Sequence, residues 1–260
     1  FQAINKHERI GIFGDFDVDG ITATAILVQG LKPLEAKLAP YIPHRVEEGH
    51  GLNAGAIQVL HQSDVKLLIT VDCGITSVPE VAQASDLNMD VIITDHHSPP
   101  PFLPAAHSLI DPKLAHSNYP FSELTGAGLA LKLMDALYKH LKRDLPPGLR
   151  GLAAIGTIAD VAPLIDENRT IVKQGLSELK SNVALGMQSL YETAKLLPEN
   201  LNTEAISFSL APRLNASGRL HHAESSFNLL TTSNPNDAKP LAMELENYNS
   251  ERRSMTDTLL

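Results

Sequence analysis

The chain has 260 residues, a formal net charge of -9, 43% hydrophobic and 20% charged residues, and a single cysteine, Cys73. This is the balance of a globular protein with room for one large domain or two modest ones. It excludes an intramolecular disulfide, a generally basic nucleic-acid-coating surface and, with no apolar run near the roughly 18 residues of a membrane span, a transmembrane helix. No secretory pattern opens the sequence, and one cysteine suits a reducing compartment, so a cytoplasmic protein without membrane attachment is expected. The start, Phe1-Gln2-Ala3-Ile4, and the uncapped helical pattern at 243–253 read as cut ends of a longer protein.

Apolar runs at 10–13, 37–42, 67–71, 91–94 and 108–110 predict strands. Helical patterns at 21–30, 54–62 and 79–87 lie between them. Short continuous strands alternating with helices predict an α/β fold, a mostly parallel sheet with helices on both faces. Ligands of such sheets gather outside the carboxyl ends of the strands. Further helices are expected at 126–141, 149–159, 169–179, 187–197, 203–210, 223–230 and from 237 onward, with a polar loop at 211–219. The organisation expected is an α/β metal-binding core at 1–165, a helical part of the same catalytic domain at 166–236, and the start of a connector helix at 237–260.

Three aspartates alternate in Gly14-Asp15-Phe16-Asp17-Val18-Asp19-Gly20, between the first strand and the first helix. On an extended chain Asp15, Asp17 and Asp19 face one way, and their mutual repulsion calls for a cation. Hard divalent ions take carboxylate oxygens. Gly20 opens the following helix, where backbone amides are expected to be free to meet an anion. Asp72 and Asp95 each follow another strand, and His96 and His97 come directly after Asp95. Asp160 ends a helix of small apolar residues, where the dipole disfavours a carboxylate unless a cation is near. Cys73 reads as a small buried residue. Arg213, Asn215, Ser217 and Arg219 make a loop suited to phosphate, and Arg45 is a third candidate arginine. Singly, each arginine could be a surface residue, Arg45 more readily than Arg219. Two cations bridged by an aspartate would activate a water and hold a phosphoryl oxygen.

Together these motifs resemble the DHH phosphoesterase superfamily, whose name is spelled by Asp95-His96-His97. The resemblance extends over nearly the whole chain, including 14–20, 71–74, 94–97, 126–128, 156–164 and 212–219. Within the superfamily it is similar to the single-strand-specific 5′→3′ exonucleases. Pyrophosphatases and short-oligonucleotide phosphatases of the superfamily carry a histidine where this chain has Phe13, and here the extra carboxylate Asp15 appears instead.

The resemblance implies two Mn²⁺ or Mg²⁺ ions, with Asp15 and Asp17 on one, Asp19, His96 and Asp160 on the other, and Asp72 bridging. It implies that His97 contacts the scissile phosphate, that Arg219 stabilises it, and that Arg45 binds a 5′-phosphate. The expected activity is hydrolysis of single-stranded DNA from the 5′ end to 5′-mononucleotides in repair and recombination. Single-strand-binding protein is the expected partner, and a monomer the expected state. The alternatives are an oligoribonuclease or short-nucleotide phosphatase of the same superfamily, and a non-catalytic replication-scaffold relative. A DHH-associated domain and an oligonucleotide-binding fold, which such exonucleases also carry, are not visible in the sequence.

Overall fold

The strand segments are runs of aliphatic and β-branched residues, which suits a sheet covered on both faces. In the computed structural model, which describes residues 1–181 and 183–259 with the side chains of 257–259 excepted, five strands form. They are β1 Arg9–Gly14, β2 Lys37–Tyr41, β3 Val65–Val71, β4 Asp90–Thr94 and β5 Ser108–Ile110. Every pairing is parallel, and the order is β2-β1-β3-β4-β5. The chain moves from β1 to one edge and returns on the other side at β3. The boundary between β1 and β3 is therefore the topological switch point, where an open α/β sheet leaves a crevice.

A short α1, Gln2–Asn5, precedes the sheet, and α2 Val18–Leu31, α3 Ala54–Gln62 and α4 Val78–Asp86 connect its strands. The second half is helical: α5 Gly126–His140, α6 Leu149–Ala159, α7 Asp166–Ser181, α8 Leu185–Ala194, α9 Thr203–Ala205, α10 Ala211–Leu220, α11 Glu224–Thr231 and α12 Pro235–Leu259. A π-helical turn, Ile206–Leu210, leads into α10. No described helix is long and apolar enough to cross a membrane.

Side chains alternate across the strands with period two. Ile10, Ile12, Ile69 and Val71 pack with Ile21, Ile26, Leu152 and Ile155 on one face. Phe13, Leu68 and Ile93 turn to the other, toward Ile57, Leu60 and Val81. The first of these cores continues to Leu210, Leu229 and Leu245, so the helical half shares its interior with the sheet. The parallel sheet with helices on both faces is the architecture expected from the sequence.

Three local expectations fail. The first helix begins at Val18, because Asp17 caps it by accepting the Gly20 N–H at 3.1 Å. Asp19 therefore stands in a helical turn and does not follow the period-two alignment. The Gly20 amide is likewise committed to Asp17 rather than free for an anion. The polar segment at 211–219 is helix α10, not a loop. Pro212 sits in its first turn, where a missing N–H is tolerated. Gly218 serves close packing rather than a bend, since a Cβ there would stand 2.6 Å from the Phe16 carbonyl oxygen.

Candidate metal centre

The strand register builds the site. Gly14 pairs with Val71, Val71 with Thr94, and Thr94 with Ile110. The next residue of each strand is Asp15, Asp72, Asp95 or Asp111, so four aspartates follow one another across the carboxyl edge. The ladder carries on one step, with Asp72 N–H donating to Thr94 O and Asp95 N–H to Ile110 O, both at 3.0 Å. Asp72 then turns with φ 61°, in the left-handed region uncommon for a side-chain-bearing residue. Helix α5 closes over it so tightly that a Cβ at Gly126 would lie 2.4 Å from the Asp72 Cβ.

Helix ends supply the remaining donors. Buried Asp19 accepts N–H groups from Gly126 at 2.6 Å and Ala127 at 2.9 Å, at the positive end of α5. Asp160 is the C-cap residue of α6. His96 Nε2 stands 3.0 Å from Asp72 Oδ1 and 3.8 Å from Asp19 Oδ2.

Among the described residues three donor sets result, each with its ligand atoms within 4.8 Å of one another: Asp15, Asp17 and Asp72; Asp19, His96 and Asp160; Asp72, His96 and His97. Asp72 and His96 each belong to two sets, so the clusters are contiguous. Asp72 Oδ1 is buried and makes no hydrogen bond, although His96 Nε2 stands 3.0 Å away. A buried carboxylate oxygen without a partner, among hard oxygen donors and an imidazole, fits a divalent cation such as Mn²⁺ or Mg²⁺.

The electrostatics agree. Burial, followed by the charges of Asp19, Asp17, Asp15 and Asp95, holds the Asp72 carboxyl well above its usual range. Burial, then Asp17 and Asp160, pushes Asp19 up to about 7, against the two amides of α5. Asp15 is raised by burial and by Asp17, and Asp160 by burial and by Asp17. Burial, with the neighbouring His97, lowers His96 to about 4, which keeps its ring neutral and able to ligate near neutral pH.

Asp95 differs from its neighbours. It accepts from Ile75 N–H at 2.9 Å, His96 N–H at 2.7 Å and His97 N–H at 3.0 Å, and its Oδ1 lies 2.7 Å from His97 Nδ1. Burial opposes ionisation, but these bonds outweigh it and hold Asp95 below its usual value. Asp95 positions the histidine pair and is not part of the donor sets.

The expected phosphate residues divide. Arg219 is exposed and shares a groove with Asn215 and Asp160's neighbour Ala159. Arg45 places its guanidinium 5.1 Å from the centre of the ring of Phe16, the residue between Asp15 and Asp17 in sequence. Arg213 and Ser217, expected at the phosphate, are instead engaged inside the fold. Arg213 is buried, its Nε paired with Glu246 of α12 and its Nη1 donating to Ser209 O at 2.7 Å. Ser217 is fully buried, with its Oγ 3.2 Å from Leu214 O and 2.8 Å from Ser226 Oγ. Both side chains tie helices together.

Two residues near the centre escaped the sequence reading. His50 Nδ1 lies 3.4 Å from Asp15 Oδ2, and its ring centroid is 4.3 Å from that of Phe16. Its signal is the pair of flanking glycines, Gly49 and Gly51, which both have positive φ. Asp111 was signalled by its place after a recognised strand. Its Oδ1 accepts the Lys113 N–H at 2.7 Å and its Oδ2 is buried without a partner.

A parallel sheet bearing acidic and histidine donors at its switch point defines a candidate divalent-metal centre. Residues 9–157 match the model of the DHH family, N-terminal domain, and the chain belongs to that family. Its relatives include the single-stranded-DNA-specific exonuclease RecJ of Bacillus subtilis, 43% identical over 99% of this chain and 32% of that protein. The fold is also similar to a crystal structure of exonuclease RecJ bound to manganese, with TM-score 0.91, 38% identity, and coverage of 99% of this chain and 65% of that one. A structure of RecJ in complex with Mn²⁺ from Thermus thermophilus gives TM-score 0.86 and 34% identity over 99% of this chain and 37% of that one. The chain thus spans about a third of the Bacillus relative's length.

Proposed function

We propose that this chain is the catalytic core of an exonuclease that hydrolyses single-stranded DNA from its 5′ end to 5′-mononucleotides, using two divalent cations, Mn²⁺ or Mg²⁺. The observation that carries the reading is the buried Asp72 carboxylate, whose Oδ1 makes no hydrogen bond, shared between donor sets in a fold similar to manganese-bound RecJ. Asp15, Asp17 and Asp72 would hold one ion, and Asp19, His96 and Asp160 the other, with Asp72 between them. When bound, the pair supplies an activated water and charge to neutralise a phosphoryl oxygen.

The chain's own residues do the rest. With Nδ1 turned to Asp95, the His97 ring has Nε2 left for a phosphate oxygen, and the Asp95 bond raises its pKa so that it can donate there. Arg219, exposed on the Asp160 side, offers its guanidinium to the remaining phosphate charge. Arg45, against Phe16 on the Asp15 side, suits a terminal 5′-phosphate. Phe13, at the position where the superfamily's phosphatases carry a histidine, is fully buried and stacked on Tyr41, which favours the exonuclease over the short-nucleotide phosphatase. The same reading includes single-strand-binding protein as partner, a monomer, and a cytoplasmic role in repair and recombination.

The test compares a long 5′-phosphorylated single strand, its duplex and a dinucleotide, with manganese and with chelator. The expected result is manganese-dependent release of 5′-mononucleotides from the single strand, beginning at the 5′ end. Consumption of the dinucleotide alone would reject the reading in favour of the phosphatase, and inactivity on all three would favour the scaffold.

A further inference from the structure

Beyond Asp160 the chain turns abruptly. Val161 has φ 59° and is 87% exposed, so a β-branched apolar residue is held in a strained conformation in water, next to a donor of the metal centre. A groove of about 370 Å³ opens there and runs past Val161 and Phe208 to Asn215, Arg219 and Arg252. Phe208 lies in the π-helical turn, a form that recurs at functional sites. Its ring is 74% exposed, although Ile206 and Leu210 of the same turn are fully buried.

The far end of the groove is cationic. Arg252 Nη2 donates to Asn249 Oδ1 at 3.1 Å, but its Nε is buried with no hydrogen-bond partner. Partial burial, then the charges of Arg219 and Arg253, depress its pKa. The guanidinium groups of Arg219 and Arg252 both line this groove, on a chain whose net charge is -9. An anion between Arg219 and Arg252 would relieve the repulsion and complete the Nε hydrogen bond.

An exposed ring followed by paired guanidinium groups, leading from a phosphoryl-transfer centre, has the chemistry of a single-strand track: stacking for a base and charge for the backbone. We infer that this groove binds the nucleotide adjoining the scissile phosphodiester, with Phe208 stacking its base, Arg252 and Arg219 holding its phosphate, and Val161 bordering its sugar. The inference rests on the exonuclease reading above. It adds Phe208 and Arg252 as strand-holding residues and identifies the ligand as a segment of single-stranded nucleic acid.

The experiment uses the full-length protein with manganese and two substrates, a 5′-phosphorylated oligothymidylate and bis(4-nitrophenyl) phosphate. The second has no neighbouring nucleotide. Phe208→Ala should lower kcat/KM on the oligonucleotide relative to the small ester about tenfold, mainly through KM, and Phe208→Trp should recover most of the loss. Arg252→Gln should weaken oligonucleotide binding and reduce the slope of log K against log salt by about 0.7, the value for one phosphate on a single strand. If both variants keep the parent ratio and the parent salt slope, the groove does not hold the strand and the inference is overturned, leaving the exonuclease reading intact. A parent protein inactive on both substrates would instead overturn the exonuclease reading and this inference with it.

Discussion

Asp95 Oδ1 lies 2.7 Å from His97 Nδ1, and the same oxygen receives the backbone N–H groups of His96 and His97. A carboxylate held below its usual pKa accepts only, so Nδ1 carries the proton and Nε2 is the nitrogen turned to chemistry. Asp95→Asn should lose this orientation. We expect kcat to fall about 10–100-fold, the usual range for a partner that orients a ligand, and the His97-dependent limb of the pH–rate profile to move to lower pH. An unchanged profile would remove Asp95 from the positioning role.

Gly126 and Asp72 are in contact across the switch point. Gly126→Ala would put a methyl carbon 2.4 Å from the Asp72 Cβ and 2.7 Å from its Oδ1. The strain should cost about 1–3 kcal/mol in urea denaturation. Manganese affinity by calorimetry should fall as well, because the carboxylate shared between donor sets is displaced. Full affinity in the variant would show that Asp72 has room to move.

The two arginines of α10 should separate by measurement. Arg213→Ala breaks a buried ion pair with Glu246 and should destabilise the fold by about 1–3 kcal/mol, a value discounted because Glu246 is partly exposed. Arg219→Ala, at an exposed position, should leave stability within about 0.5 kcal/mol. Its kcat should drop about 100-fold if it holds the phosphate charge. Thermal melts and single-turnover kinetics read the two effects independently.

The cluster also predicts how stability depends on pH when a chelator keeps cations away. Asp15, Asp19, Asp72 and Asp160 have raised pKa values in the fold, so the folded protein binds more protons than the unfolded chain. Their contribution is fully present below the unfolded carboxyl value of 3.8 and is lost as pH rises through the folded values, about 7 for Asp19. His96, lowered to about 4, works in the opposite direction over part of this window but is one group against four. The melting temperature should therefore fall between about pH 4 and 7 in chelator, and manganese should recover it at the upper end. A melting temperature that rises across that window in chelator would contradict the burial of these carboxylates in the folded state.

The legible features were those set by local order. The strands are continuous apolar runs, and Asp15, Asp72 and Asp95 each follow one directly, so both the sheet and its acidic edge could be read. What could not be read depends on contacts between distant segments. Asp19 is anchored by Gly126 and Ala127, more than a hundred positions along the chain. Arg213 and Arg219 look alike in sequence, and only the pairing with Glu246 distinguishes the structural one from the exposed one. The helix at 211–220 was obscured by Pro212, Asn215, Ser217 and Gly218, turn-forming residues whose local preference is overridden by packing on Phe16 and α12.

The most direct test is anomalous diffraction at the manganese edge from crystals grown with Mn²⁺. Two peaks should appear, one among Asp15, Asp17 and Asp72 and the other among Asp19, His96 and Asp160, with the Asp72 carboxylate between them. A map with no peak inside this cluster, or with manganese bound only elsewhere on the surface, would contradict a two-cation centre.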